Sequence, residues 1–173
     1  IDSLNREKFA KITRRDAFPE VYKTLELLEK SSLNLKLNVV VQSGVNTDEI
    51  VDFARFTKDK KVAVRFIEEM PFNGKGQREM EENWTFKRIL EEIKTEFDVK
   101  EVVSEKSSTS RNYAIDNHLG TVGIIPSFTP PISNNFNRIR ITSIGTFKNR
   151  LFDDGVLHLI DFIPDSYPNL TLP

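Results

Sequence analysis

The feature that most constrains the fold is an alternation of strand-like and helix-like segments in the first seventy residues. "LKLNVVV" (35–41) and "VAVRFIE" (62–68) carry apolar residues at every second position, which predicts two strands. "FPEVYKTLELLEK" and residues 46–54 carry apolar residues at helical spacing. Strands and helices that alternate through short connections predict parallel β–α–β units, so the fold class is α/β.

The pattern changes near residue 72. The Gly- and Glu-containing stretch "EEMPFNGKGQREMEEN" has too few glycines for a phosphate cradle and predicts a connecting loop. A helix from Trp84 is then followed by four short strand candidates, "NYAI", "TVGII", "NRIRIT" and "TFKNRLF". We therefore expect an α/β part at 1–72, a separate α+β region with antiparallel strands at 73–163, and an extended tail at 164–173.

Composition excludes several classes of function. The 25 Lys and Arg residues nearly balance the 26 Asp and Glu residues, so no chain-wide field attracts nucleic acid or a membrane surface. No apolar run approaches the roughly 18 residues of a membrane helix, and we expect a cytoplasmic protein. The chain has no cysteine, which excludes disulfides, thiolate catalysis and any metal centre held by its own thiolates. Because it starts with Ile1 rather than Met, we expect residues to precede it.

Charged residues within the strand segments are the candidates for a binding site. Lys36, Asn38 and Arg65 occupy strand faces that would point inward in a parallel barrel, where a lone charge is costly without a partner. A polar lumen of this kind implies an anionic ligand. The alternative is a strand face open to water with solvated charges, and the same two interpretations apply to Arg138 and Arg140 in "NRIRIT".

The other polar residues give weaker signals. His118 and His158 are isolated, without a second ligand at metal-binding spacing, and we expect structural roles for both. Glu68 and Glu69 end a strand, where carboxylates sometimes act in catalysis but more often meet solvent. No catalytic constellation can be named.

Two long stretches resemble a known family. Residues 2–76, with "LKLNVVV", "VRFIE" and "MPF", resemble the second half of the radical S-adenosylmethionine (SAM) domain of GTP 3′,8-cyclase, the lyase that starts molybdenum cofactor biosynthesis. "GTVGIIPSFTPPISNNFNRIRITSIGTFKNRLF" is similar to that family's C-terminal segment. The resemblance covers nearly the whole chain.

The resemblance implies a fold, cofactors and a site. The fold would be the later part of an incomplete (β/α)6 barrel, and the partners would be GTP, the missing N-terminal half of the barrel and a second copy in a homodimer. The family uses SAM and two [4Fe-4S] clusters, one of them on a CxxxCxxC loop of the half absent here. Lys36, Arg65, Arg138 and Arg140 match family residues that contact GTP or line its cavity. A eukaryotic source would imply the mitochondrial matrix.

The chain departs from the family at the second cluster. The family holds this cluster with CxxC and a third Cys after thirteen residues, and the corresponding positions here are Ser133, Phe136 and Arg150. A hydroxyl is a poor iron ligand, a phenyl ring is none, and a guanidinium repels the metal. We therefore expect this chain alone to bind no cluster.

Three hypotheses remain open. In the first, the chain is a portion of a GTP 3′,8-cyclase-like enzyme and is inactive alone. In the second, it is a module that binds GTP or another purine nucleotide without chemistry. In the third, it is a structural remnant that associates with itself through open strand edges. An upstream CxxxCxxC would favour the first, and a GTP titration separates the second from the third.

Overall fold

The computed structural model describes residues 1–70, 84–103, 109–126, 140–148 and 157–162. The chain divides into two compact units, 1–131 and 132–173, which are described separately below.

In the described parts of the chain, helices and strands alternate from the second to the fourth α-helix, and short strands and a 3-10 turn follow. The helices are α1 (Arg6–Thr13), α2 (Phe18–Glu29), α3 (Ile50–Arg55) and α4 (Phe86–Lys94), with 3-10 turns at Thr47–Glu49 and Leu159–Phe162. The strands are β1 (Leu35–Val41), β2 (Val62–Glu68), β3 (Val99–Val102), β4 (Arg111–Ile115), β5 (Thr121–Ile125), β6 (Arg140–Ile141), β7 (Thr146–Lys148) and β8 (Leu157–His158).

The first unit contains a five-stranded mixed sheet in the order β1-β2-β5-β4-β3. β1 and β2 are parallel neighbours with the predicted bounds, which confirms that part of the sequence analysis. The region after residue 84 supplies the expected helix and antiparallel pairs, β3 with β4 and β4 with β5. β5 also pairs in parallel with β2, which places strands from both sides of residue 72 in one sheet.

One face of this sheet carries the core of the first unit. Alternate residues of β1, β2, β4 and β5 are buried there together with apolar residues of α2, α3 and α4, as the period of two in the strands requires. The buried cluster consists of Leu25, Leu37, Val39, Val41, Ile50, Phe53, Ala54, Val62, Val64, Phe66, Ile89, Ile93, Tyr113, Ile115, Val122 and Ile124. The residues between them on each strand therefore lie on the opposite face.

Local signals explain where the helices begin. The Asn5 side chain caps α1 by accepting from the backbone N–H groups of Glu7 and Lys8, and Pro19 occupies the first turn of α2. At α4, Thr85 is the N-cap, and a second acceptor comes from Glu68 at the end of β2, whose Oε1 accepts from Phe86 N. The start of α4 is thus fixed to the end of β2.

Asn46 followed three residues later by Glu49 has the spacing of a capping box, but the structure does not contain this cap. The Asn46 side chain makes no cap hydrogen bond. Its Nδ2 donates to Asp2 O at 2.7 Å and Val40 O at 2.9 Å, and its Oδ1 accepts from Gln42 N at 2.8 Å. A buried amide takes the place of a cap because it satisfies backbone groups of the N-terminal segment, of β1 and of the turn after β1.

In the second unit, β6, β7 and β8 form a three-stranded antiparallel sheet. β6 and β7 lie within the predicted strand segments, whereas β3 and β8 were not predicted. The predicted tail at 164–173 lies outside the described residues, and the boundaries at 72 and 163 stay predictions. Among the described helices, none has the length and apolar character needed to cross a membrane.

Candidate anion-binding face

The face of the five-stranded sheet opposite the core carries three of the polar residues singled out in the sequence. Lys36 and Asn38 are exposed on β1, and Arg65 is half-buried on β2. Asn38 pairs in register with Arg65, and Lys36, two residues earlier on β1, pairs with Ala63. Lys36 and Arg65 therefore project from adjacent strands on the same side of the sheet.

A polar row crosses this face at the position of Arg65. Asn38, Arg65, Gly123 and Asn112 are register partners on four successive strands. Arg65 Nε donates to Asn38 Oδ1 at 2.9 Å. On the other side, a Cβ added at Gly123 would lie 3.3 Å from Arg65 Cγ and 2.8 Å from Asn112 Oδ1. Gly123 thus leaves the space that these two side chains need.

The charges of this face are not neutralised within the described parts of the chain. The described ion pairs place arginines and lysines against carboxylates elsewhere, as in Arg6 with Asp16 at 2.7 Å and Lys60 with Glu29 at 2.6 Å. Neither Lys36 nor Arg65 forms such a pair with a described residue. Two adjacent cations without a counter-charge create a local positive potential on a chain that is nearly neutral overall.

The carboxyl ends of β1 and β2 carry further polar groups. Glu68 is buried and its Oε1 accepts from Phe86 N at the start of α4, so it is not a solvated strand-end charge. Glu69 is half-buried, and its Oε1 accepts from Gln42 Nε2 at 3.4 Å. The contact between Gln42 and Glu69 connects the ends of the two parallel strands, and the contact of Glu68 connects β2 to α4.

In the second unit, Arg140 is exposed on β6 and pairs in register with Lys148 on β7. Like charges directly opposite one another on a sheet repel, and an anion between them would relieve the repulsion. Arg138, Ser133, Phe136 and Arg150 lie outside the described residues, so the convergence of all four predicted cations is not tested.

Both histidines make contacts that are typical of structural residues. His118 packs edge-on against Phe97, with ring centroids 5.3 Å apart, and its Nδ1 lies 2.9 Å from Thr57 Oγ1. Burial lowers the pKa of His118 below its ordinary value, and the positive charge of Lys58 adds to this effect. His158 Nδ1 lies 3.4 Å from Thr146 Oγ1. Across the described ranges, no cluster of three or more His, Cys, Asp or Glu residues could hold a metal ion.

Sequence reasoning missed three features of these surfaces. The bond from Arg65 to Asn38 depends on strand register, which alternation alone does not fix. The opposition of Arg140 and Lys148 was accessible, because "RITSIGTFK" places a Gly-containing turn between two short strands. The role of Gly123 required knowledge of both neighbouring strands.

Comparison with known proteins places the chain in a family. The family described as Molybdenum Cofactor Synthesis C matches residues 62–171, more than half of the chain. "Molybdenum cofactor biosynthesis protein moc-5" of Caenorhabditis elegans is 40% identical over 166 residues, which cover 94% of this chain and 27% of that protein. "GTP 3′,8-cyclase, mitochondrial" of Arabidopsis thaliana is 33% identical over 93% of this chain and 42% of its own length.

A bacterial relative gives the same result. "GTP 3′,8-cyclase" of Chlorobaculum tepidum is 34% identical over 83% of this chain and 44% of its own length. The chain thus spans between about a quarter and a half of the length of these relatives. The resemblance to the C-terminal portion of GTP 3′,8-cyclase is confirmed, and the chain belongs to the Molybdenum Cofactor Synthesis C family.

Proposed function

We propose that this chain is the nucleotide-binding portion of a GTP 3′,8-cyclase-like protein and that the open face of its five-stranded sheet binds the phosphates of GTP. The observation that carries the proposal is the pair of cations, Lys36 and Arg65, on one sheet face without a carboxylate partner among the described residues. The relatives named as GTP 3′,8-cyclases supply the identity of the nucleotide.

The chemistry of the two side chains suits a polyphosphate. A guanidinium presents planar donors that match phosphate oxygens, and an ammonium adds a compact charge. Arg140, opposite Lys148, forms a second cationic position. We propose that Arg138 and Arg140 act on the same nucleotide as Lys36 and Arg65, as the family resemblance implies.

The proposal extends to the missing part of the fold. β1 lies at the edge of its sheet, and near its end Ile1 N donates to Asn38 O at 3.3 Å while Val40 N donates to Asp2 Oδ1 at 2.8 Å. An edge strand offers backbone groups with which another strand can pair, and the segment that precedes β1 already uses two of them. We propose that the N-terminal half of a (β/α)6 barrel pairs there, that the assembled protein forms a homodimer, and that it works in the cytoplasm or the mitochondrial matrix.

The residues present do not fit the family's iron–sulfur clusters. Cluster assembly needs thiolates, and the chain contains no cysteine. We propose that the chain alone is inactive and binds nucleotide without chemistry, and we assign it no radical step. Anaerobic reconstitution tests this part: we expect no stoichiometric iron and sulfide in the chain as it stands, but cluster uptake once Ser133→Cys, Phe136→Cys and Arg150→Cys are combined. Stoichiometric cluster in the unmodified chain would contradict the ligand argument.

Calorimetric titration with GTP tests the binding proposal. We expect Lys36→Ala and Arg65→Ala each to weaken GTP binding by roughly 10-fold to 100-fold, corresponding to about 1.5 to 3 kcal/mol for a charge-assisted hydrogen bond. Lys23→Ala, which removes an exposed lysine from α2, is the matched control and should leave the affinity unchanged. Guanosine should bind far more weakly than GTP because it lacks the phosphates. Equal affinity of the wild type and both variants would remove this face from the site.

A further inference from the structure

We infer that Asn38 is a positioning residue that holds the Arg65 guanidinium in a binding-competent orientation without neutralising its charge. The inference rests on the proposed function, since Arg65 is taken to contact the phosphates of the nucleotide. It adds a role for a residue that carries no charge.

The first observation is the geometry of the hydrogen bond. Asn38 Oδ1 accepts from Arg65 Nε at 2.9 Å, between residues that are direct register partners on parallel strands. Nε joins the guanidinium group to the aliphatic chain, so a hydrogen bond at Nε fixes the orientation of the guanidinium plane. The two terminal amino groups make no hydrogen bond to a described residue, and four of the five N–H donors remain for an anion.

The second observation is the chemical nature of the partner. Arg6 and Arg55, which lie elsewhere on the surface, meet the carboxylates of Asp16 and Glu96. Arg65 instead meets an amide. A carboxylate would orient the guanidinium equally well but would cancel the positive charge that attracts a polyanion. An amide orients the guanidinium and leaves its positive charge in place.

The third observation concerns the other side of the arginine. Gly123 is the register partner of Arg65 on β5, and a Cβ added there would lie 3.3 Å from Arg65 Cγ. The aliphatic stem of Arg65 therefore lies over a position without a side chain, while its Nε is held by Asn38. Gly123 leaves room for the stem, and the hydrogen bond at Nε holds the head, so the side chain loses less conformational freedom when a ligand binds, which strengthens binding.

A double-mutant cycle measured with GTP by calorimetry tests the inference, using wild type, Asn38→Ala, Arg65→Ala and the double variant. We expect Asn38→Ala to weaken GTP binding by roughly 3-fold to 10-fold, the effect of one neutral hydrogen bond. In the Arg65→Ala background the same substitution should change the affinity by less than 2-fold. Far-UV circular dichroism checks that each variant is folded.

The Asn38→Asp variant distinguishes the effect of orienting Arg65 from the effect of its net positive charge. This variant keeps an acceptor for Arg65 Nε but introduces a negative charge, so it should bind GTP more weakly than Asn38→Ala, and the affinity should depend less on salt concentration. Equal effects of Asn38→Ala with and without Arg65 would overturn the positioning role while leaving GTP binding intact. Failure of the wild type to bind GTP would instead overturn the proposed function and the inference with it.

Discussion

At the scale of single residues, buried polar groups decide how the loop after β1 folds. Asn46 is 2% exposed and satisfies three backbone groups in the N-terminal segment, in β1 and in the following turn. From the sequence, Asn46 followed by Glu49 favours a cap, because the sequence cannot show that Asp2, 44 residues away, lies next to Asn46. Tertiary contacts override the local signal here.

We expect Asn46→Ala to lower the free energy of unfolding by about 2 to 4 kcal/mol, since it removes three hydrogen bonds and leaves buried backbone groups without partners. Urea unfolding followed by the fluorescence of Trp84, the only tryptophan in the sequence, measures this change in the first unit. Asn34→Ala is the matched control, because Asn34 is exposed, and it should change stability by less than about 0.5 kcal/mol. Similar effects of the two substitutions would contradict the role of Asn46.

His118 gives the first unit a pH dependence. The Thr57 hydroxyl donates to Ala54 O at 2.8 Å, so its oxygen accepts from the Nδ1–H of neutral His118. Burial and, after it, the charge of Lys58 lower the pKa of His118 below 6.5, against the smaller opposing effects of Asp59 and of a hydrogen bond to backbone Ala54. The unfolded chain therefore binds the proton more readily, and the stability that His118 contributes above pH 6.5 is lost as the pH falls through its folded pKa.

We expect the wild type to lose more stability between pH 7.5 and pH 5 than His118→Asn, which keeps a donor toward Thr57 but does not titrate. Urea midpoints at a series of pH values compare the two proteins. Parallel curves for both would show that His118 does not titrate differently in the folded state.

At the scale of elements, the sheet of the first unit depends on a close approach between the turn before β5 and the start of β2. Gly120 N donates to Thr57 O at 2.9 Å, and a Cβ at this position would lie 2.2 Å from Val62 O and 2.6 Å from Lys60 O. Both obstacles are backbone atoms, which cannot rotate away. A glycine is required where these elements meet.

We expect Gly120→Ala to destabilise the first unit by about 2 to 3 kcal/mol, in the upper range for overpacking. Gly44→Ala is a useful comparison, because a Cβ there meets no atom within 4 Å and only the positive φ of 70° opposes it. That substitution should cost about 1 kcal/mol. If Gly120→Ala were the milder of the two in urea unfolding, the close approach would be refuted.

The elements differ in how far the sequence reveals them. β1 and β2 were predicted with their observed bounds because their apolar residues alternate over seven positions. β3 was missed because "VKEV" is short and largely exposed, so burial imposes little pattern on it. The pairing of β5 with β2 was also missed, since it joins segments more than fifty residues apart and no local pattern records a partner strand.

At the scale of the whole molecule, the sequence predicts which residues belong to the candidate site better than it predicts how they are arranged. Lys36 and Arg65 were expected on strand faces, and the parallel pairing of β1 with β2 does place them on one side. Whether Arg138 and Arg140 join them stays a prediction, because one lies outside the described residues and the other belongs to the second unit. Register and the relation between units are long-range properties that alternation does not encode.

The central claim is that GTP binds to the open face of the five-stranded sheet, and a residue-resolved NMR titration tests it most directly. On addition of GTP to the isotope-labelled chain, we predict that the largest shifts occur at Lys36, Asn38, Arg65 and Gly123, including the Arg65 Nε–H signal. Signals of buried Ile89 and Ile93 in α4, on the opposite side of the sheet, should move little. Shifts concentrated on the helical side, or no shifts at millimolar GTP, would contradict the claim.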